Sequence, residues 1–454
     1  MIKTFLKALA VCSLSALFFS SCGKDRSGEY YALIGTQTWV YKTMQQDYLF
    51  YEDLPKEEKL NFFKKPKEFV ASLVSSKDQK NGVKFTHIDS IYTEPLSTRA
   101  SQFPSFGFEG VIVRIPNGSE AIRVIYTEKE SPAAEAQLKR GDWIIAANGK
   151  KINSNSYANF VNRPHGACKF TLGSFNGNGF DTLNIIQMPE PRVIQANNLL
   201  DTHSVNSGDK TAFYMLYNEF GADEKQLKSV FAQMGNSQFD DIILDLRYNP
   251  GGYVATSQVL ASNLAPETAI NQPFLKMTSN DIINKQEIYN IDSKLLGAST
   301  PISYRNLYII TSGSTASASE IVINGLKPYM KGRIFQVGDA TFGKNVAQTR
   351  YRNEASPQVE LWLTTHRLCN SEDFGDYFSQ GLRPDYKCVE NFGAHLGALG
   401  TQDDVLMQPI LEHMATGNFP ASHKDTSSRT QRVKVVYNPI SEKPKLVLLE
   451  NPVK

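Results

Sequence analysis

The spacing of apolar positions changes twice along the chain, and each change predicts a different architecture. Between Thr36 and Ser75, Trp39, Val40, Met44 and Tyr48 recur at helical spacing, Pro55 interrupts, and Phe62, Phe69 and Leu73 resume the pattern. That predicts a small helical cap over residues 36–100, with the aromatic run Tyr48-Leu49-Phe50-Tyr51 read as core rather than as a ligand surface. From about Phe103 to Ile186 the pattern turns β-rich. Strands are expected at Val111–Val113, Ala121–Tyr126 and Trp143–Ala147, the last turned by Asn148-Gly149 into Lys151-Ile152. A short helix opens at Ser131-Pro132-Ala133-Ala134 and closes before Gly141, which completes a β-rich domain over 101–190. From Lys210 onward, strands (Ala212–Leu216, Ile242–Leu246, Leu307–Ile310, Ile334–Val337, Leu361–Thr364) alternate with helices (Glu224–Met234, Ser257–Asn263, Ser317–Leu326). Strands separated by helices pair in parallel with the helices packed on the sheet faces. The fold class is therefore multidomain α/β, with an αββ-type core of mixed sheet and helices over 191–422 that closes with a helix from Asp403 to Met414. Residues 423–454 read as a charged, weakly patterned tail with one strand candidate at Val433–Val436.

The first residues follow another logic. Lys3 and Lys7 precede the apolar stretch Ala8–Phe19, and Ser20-Ser21-Cys22-Gly23 follows, which reads as a signal peptide over 1–21 and a polar tether over 22–35. A cysteine directly after the small residues resembles a bacterial lipobox, with Phe19 where leucine is usual. Cleavage before Cys22 leaves its thiol to carry a lipid, so the expected place is the bacterial cell envelope, membrane-anchored on the periplasmic or outer-membrane side. The apolar stretch is short for a span, and no later stretch reaches the roughly 18 apolar residues one requires.

Export bears on the cysteines. Cys168, Cys369 and Cys388 remain after processing, and an oxidising compartment permits Cys369 and Cys388 to pair, with two buried free thiols as the alternative. A formal net charge of +2 gives no bulk drive toward nucleic acid. Neither CxxC nor HExxH occurs, so no metal or other cofactor is expected.

Three segments carry chemistry. Thr315-Ala316-Ser317-Ala318-Ser319-Glu320 stands between an apolar strand and a helix, where a hydroxyl is exposed and backbone N–H groups point at what approaches it. Thr341-Phe342-Gly343-Lys344 brings a lysine on a glycine turn, with Gln348 four residues on. Asp245-Leu246-Arg247-Tyr248-Asn249-Pro250-Gly251-Gly252 follows a buried strand, and its glycine pair lets bare backbone approach a ligand. A serine hydroxyl is a poor nucleophile until a base takes its proton. Lysine, with a reference pKa of about 10.4, serves as that base only when burial lowers the value, and desolvation supplies up to about 3–5 units. An amide such as Gln348 holds a neutral lysine without adding a charge that favours the ammonium.

In this order the segments, with a weaker fourth at Gly381-Leu382-Arg383-Pro384-Asp385, resemble the C-terminal processing (tail-specific) peptidase family. The resemblance implies Ser317 as nucleophile, Lys344 as base and Gln348 as the group that orients the lysine. It also implies an oxyanion hole made by the N–H of Ala318 and one from Gly251-Gly252. The preceding β-rich domain resembles a PDZ domain, with Phe106-Gly107-Phe108 where that family's carboxylate-binding loop lies. The implied partner is a polypeptide bound through its C-terminus and cut through an acyl-enzyme; the oligomeric state is left open. Thr315 replaces the more usual serine, Asn345 follows Lys344 where glycine is common, and the interval from Ser317 to Lys344 is slightly long. A Ser-His-Asp esterase would bring a G-x-S-x-G elbow, which the chain lacks. A non-catalytic lipoprotein that captures peptide ends is the reading from another class.

Overall fold

The computed structural model describes residues 27–90, 103–154, 160–161, 164–194, 197–235, 237–353, 356–421, 433–443, 445 and 447–449. The expected signal segment and Cys22 lie outside them.

The α/β core is a six-stranded sheet in the order Leu199–Ser207, Lys210–Tyr217, Asp241–Asp245, Asn306–Thr311, Ile334–Gly338, Tyr386–Lys387. Its first pair is antiparallel and every later pair parallel. The central strands read as apolar runs because both faces are covered. Ile242, Leu244, Leu307 and Ile309 face the helices Glu224–Met234, Val254–Leu264 and Ala318–Leu326. Ile243, Tyr308 and Ile310 face the opposite way, against Ile410 and Met414 of the helix Gln408–Thr416. The strand-to-helix turn that carries Ser317 thus lies at the C-terminal edge of a parallel strand in mid-sheet.

A second, seven-stranded sheet runs beside it. Its centre is the long antiparallel pair Val346–Asn353 and Ser356–Cys369, of which the pattern predicted only Leu361–Thr364. The N-terminal region is more than a helical cap, because its strand His87–Ser90 pairs with Ser356–Cys369. Its core of Val40, Met44, Tyr48, Phe69 and Leu73 packs on Leu361 and Leu363 of that strand. The first helix, Ser27–Asp47, begins inside the segment expected to be a tether.

The third sheet is the β-rich domain, in the order Lys434–Tyr437, Phe108–Arg114, Glu120–Thr127, Trp143–Ala147, Cys168–Phe175, Phe180–Met188. Its outermost strand comes from the far end of the chain. The expected tail is therefore built into the fold rather than appended to it. Cys369 and Cys388 are not joined by a disulfide, and both are half-buried rather than buried as the alternative expected.

A buried ionic network joins the β-rich domain to the core. Arg247 donates to Asp245, to Asp404 at 2.6 Å and to Glu390 at 2.9 Å. Arg140 of the β-rich domain pairs with the same Glu390 and donates to Tyr248 Oη at 2.9 Å. Burial alone would raise the Glu390 carboxyl, but Arg140 and Arg247 hold it down at about 2. Removing Arg247 would strand the buried carboxylates of Asp245 and Asp404. Arg247→Met is expected to destabilise the protein by about 3–5 kcal/mol. Urea unfolding checks this, and a midpoint close to wild type would mean that the network contributes little.

Candidate active site

Ser317 is the N-cap of the helix Ala318–Leu326 and holds φ +66°, ψ −117°, a backbone conformation that side chains rarely adopt. Such a conformation costs about 1–3 kcal/mol and persists only when its surroundings fix it. Here they do. Thr315 Oγ1 donates to the Leu246 carbonyl at 2.8 Å, and the Ala316 N–H donates to the Asn249 carbonyl at 3.1 Å. The threonine that departs from the usual serine thus uses its hydroxyl to tie this turn to the Asp245–Gly252 segment. Ser317 Oγ is buried and has no hydrogen-bond partner among the described residues.

Lys344 is fully buried. Its Nζ donates to Gln348 Oε1 at 2.6 Å and to the carbonyl of Lys445, and lies 4.8 Å from the centre of the Phe85 ring. Gln348 Nε2 donates to the Phe85 carbonyl, which fixes its oxygen toward the lysine. Burial lowers Lys344 to about 7, opposed by the negative charge of Asp78 and Glu320.

Two acidic residues that the sequence reading gave no role shape this site. Glu320 is fully buried and accepts four hydrogen bonds. Oε2 takes the N–H of Ser317 at 2.7 Å and of Lys344 at 2.8 Å. Oε1 takes Thr341 Oγ1 at 2.6 Å and the Gly343 N–H at 2.5 Å. Burial lifts its carboxyl to about 7, against those four donors. The available signal was position: a carboxylate three residues after the N-cap of an otherwise small and apolar helix can reach back to the cap's N–H. Asp78, from the N-terminal region, accepts from Tyr48 Oη at 3.0 Å and Thr364 Oγ1 at 2.6 Å, and burial raises it to about 6. No local pattern announces Asp78, because its partners are about 30 and 286 positions away in sequence.

The expected oxyanion donors divide. The Ala318 N–H is the first of its helix and has no partner within it. The Gly251 N–H is already bonded to Asn249 Oδ1 at 2.9 Å, which leaves Gly252 as the candidate of the pair. Gly252 cannot be replaced without movement: at φ +141°, a Cβ there would lie 2.1 Å from the Phe220 carbonyl oxygen. The fourth motif is a brace. Gly381 leaves room for the Thr341 carbonyl, which would lie 2.0 Å from an added Cβ, and the Leu382 N–H donates to Thr341 Oγ1 at 2.7 Å.

Phe106, Gly107 and Phe108 lie elsewhere. Both phenylalanines are buried in the core of the β-rich domain against Phe170. Gly107 is required for packing: at φ +73°, an added Cβ would meet Ser131 at 2.3 Å and Ile194 at 2.5 Å. Its carbonyl is also taken, by the Glu128 N–H at 2.8 Å. No group of acidic, histidine and cysteine side chains able to hold a metal ion occurs among the described residues.

A buried serine and a buried lysine of lowered pKa, fixed by one carboxylate, define a candidate hydrolase centre. Residues 212–388 match Peptidase family S41, and residues 35–86 match the Peptidase S41 N-terminal domain. The chain belongs to peptidase family S41. It is 25% identical over 333 residues to the carboxyl-terminal-processing protease of Picosynechococcus, covering 72% of this chain and 76% of that protein. It is 22% identical over 268 residues to the carboxy-terminal processing protease CtpB of Bacillus subtilis, covering 57% of this chain but 52% of that protein. The crystal structure of a Bacteroides fragilis protein assigned to the S41 proteases is similar, with a TM-score of 0.72 at 26% identity over 83% of this chain and 96% of that one.

The strain at Ser317 yields a prediction. Glycine adopts its backbone conformation freely and alanine does not, so Ser317→Gly is expected to be more stable than Ser317→Ala by about 1 kcal/mol. Thermal unfolding of the two variants decides it; equal stability would mean that the turn is unstrained.

Proposed function

We propose that the protein is a serine endopeptidase that cuts polypeptides near their C-termini, with Ser317 as nucleophile and Lys344 as general base. Ser317 Oγ adds to the peptide carbonyl while its proton passes to neutral Lys344 Nζ. The oxyanion collects against the N–H groups of Ala318 and Gly252, where losing one donor typically costs about 2.7–4 kcal/mol of transition-state stabilisation. The lysine then returns the proton to the leaving amine, and water, deprotonated by the same lysine, hydrolyses the ester on Ser317. Gln348 orients Lys344 without adding charge. The β-rich domain, read as PDZ-like, binds the substrate's end, and lipidation of Cys22 anchors the enzyme in the cell envelope. The names of the relatives support the C-terminal specificity, and the chain spans about half the length of CtpB.

The observation that carries the reading is a fully buried lysine lowered to about 7 by burial and hydrogen-bonded at 2.6 Å to a neutral amide. Below that value the base is protonated and silent. Hence kcat/KM for an unfolded test polypeptide is expected to rise as pH passes upward through about 7. Because Asp78 favours the charged lysine, Asp78→Asn is expected to move that rise to lower pH. Ser317→Ala and Lys344→Ala should each lower turnover by at least about a thousandfold. Cleavage by residues 23–454 measured across pH tests all three. An undiminished rate in Ser317→Ala would remove the assignment, and binding of peptide ends without cleavage by wild type would favour the capture reading.

A further inference from the structure

The last described residues run through both parts of the molecule that handle polypeptide in this reading. Lys434–Tyr437 adds as an antiparallel edge strand to Phe108–Arg114, the strand that leaves the Phe106-Gly107-Phe108 turn; Val435 lies opposite Val113. Asn438 then caps the short helix Pro439–Glu442 by accepting the Ile440 N–H at 3.0 Å. Ile440 is buried among Val111, Val113, Tyr126 and Tyr248, where the β-rich domain meets the core. Lys445 folds its ammonium back onto the Ile440 carbonyl at 2.9 Å, so that its own carbonyl faces Lys344 and accepts from Nζ. Beyond it, Val447–Leu448 pairs in parallel with Gly252–Tyr253 on one side, while Leu448 lies opposite Gln348 on the other.

Gly252 and Gln348 therefore stand two strand spacings apart, about 9–10 Å, with one strand of the chain's own tail between them. A slot one strand wide, edged by the candidate oxyanion glycine and by the residue that orients the base, has the dimensions of an extended polypeptide. Its present occupant alters the chemistry. Lys344 Nζ is bonded to Gln348 and to the Lys445 carbonyl, and Ser317 Oγ is left without a partner. The serine and the lysine are not joined while the tail is in place.

We propose that the end of the chain is a built-in competitive inhibitor: Lys434–Tyr437 covers the edge strand of the β-rich domain, and Val447–Leu448 fills the slot between Gly252 and Gln348 that a substrate strand would take. This inference rests on the assignment of Ser317 and Lys344 as the reacting pair. Because the tail is held through its backbone, the slot takes extended chains with little regard to sequence. Within the slot Val447 is fully buried with the main core, so a substrate carries an apolar residue at that place. Substrate binding requires the tail to leave, which raises the apparent KM in proportion to the fraction of molecules that are closed.

The test uses the whole mature chain and a fluorophore-labelled casein. Ile440→Asp puts a charge into the buried anchor, and Val435→Pro disturbs the edge strand without touching the reacting groups. Either variant is expected to lower KM by about tenfold with kcat unchanged. Independently of whether the variants fold, a synthetic peptide with the sequence of residues 433–449 is expected to inhibit wild type competitively. A peptide that does not inhibit overturns the proposal, as do folded variants with the KM of wild type. Loss of the tail's mass in wild type but not in Ser317→Ala overturns it too, because the tail would then be a substrate. If instead Ser317→Ala cuts casein as well as wild type, the assignment of the nucleophile has failed, a result that separates that failure from failure of the tail inference.

Discussion

Four hydrogen bonds to one buried carboxylate hold the candidate site together. Glu320 reaches back from the first turn of the Ser317 helix and takes the backbone N–H of both Ser317 and Lys344 on a single oxygen. Its other oxygen takes Thr341 and Gly343, so the glycine turn that delivers the lysine is fastened to the helix that delivers the serine. Two segments more than 20 residues apart in sequence acquire a common reference point. Side-chain hydrogen bonds to backbone N–H groups also satisfy donors that a helix N-terminus and a tight turn would otherwise leave bare. The strained Ser317 backbone is tolerable because this framework leaves it no alternative.

The electrostatics around this anchor follow from burial more than from pairing. Lys344 loses proton affinity because it is out of water, and a neutral amide rather than a carboxylate receives its hydrogen bond. Asp78 and Glu320 oppose the shift, yet burial raises both of their carboxyls as well, which weakens that opposition near neutral pH. Further out the balance reverses. Arg140 and Arg247 hold the Glu390 carboxyl down at about 2, and the network fixes the β-rich domain on the turn that ends in Gly251-Gly252. The molecule thus separates an ion-paired interdomain joint from a centre in which burial suppresses charge.

Much of this architecture can be read from local pattern, and the exceptions share a cause. Trp143–Ala147 and Glu224–Met234 have the bounds their periodicity predicts, because alternation and helical spacing are local signals. Ser317, Lys344 and Gln348 were identifiable because their chemistry sits in short segments. The pair Val346–Asn353 and Ser356–Cys369 was mostly missed: Gln348-Thr349-Arg350-Tyr351-Arg352-Asn353 is polar, and its partners lie across a hairpin, in the N-terminal region and at the far end of the chain. In the tail the strand candidate Val433–Val436 is met by Lys434–Tyr437, but its partner, Phe108–Arg114 some 320 positions earlier, leaves no local signal. Gly107 carries a packing constraint that no local pattern shows, since Ser131 and Ile194 occupy the space a Cβ would need.

Titration of Lys344 itself tests the central claim most directly. With lysine labelled at Cε, NMR of the intact chain follows each ammonium through its own proton loss, and Lys344→Arg identifies the resonance. The account predicts one signal that titrates near pH 7 and vanishes in that variant. If every lysine instead titrates near its reference value of about 10.4, the buried base is charged at neutral pH and the proposed mechanism is wrong.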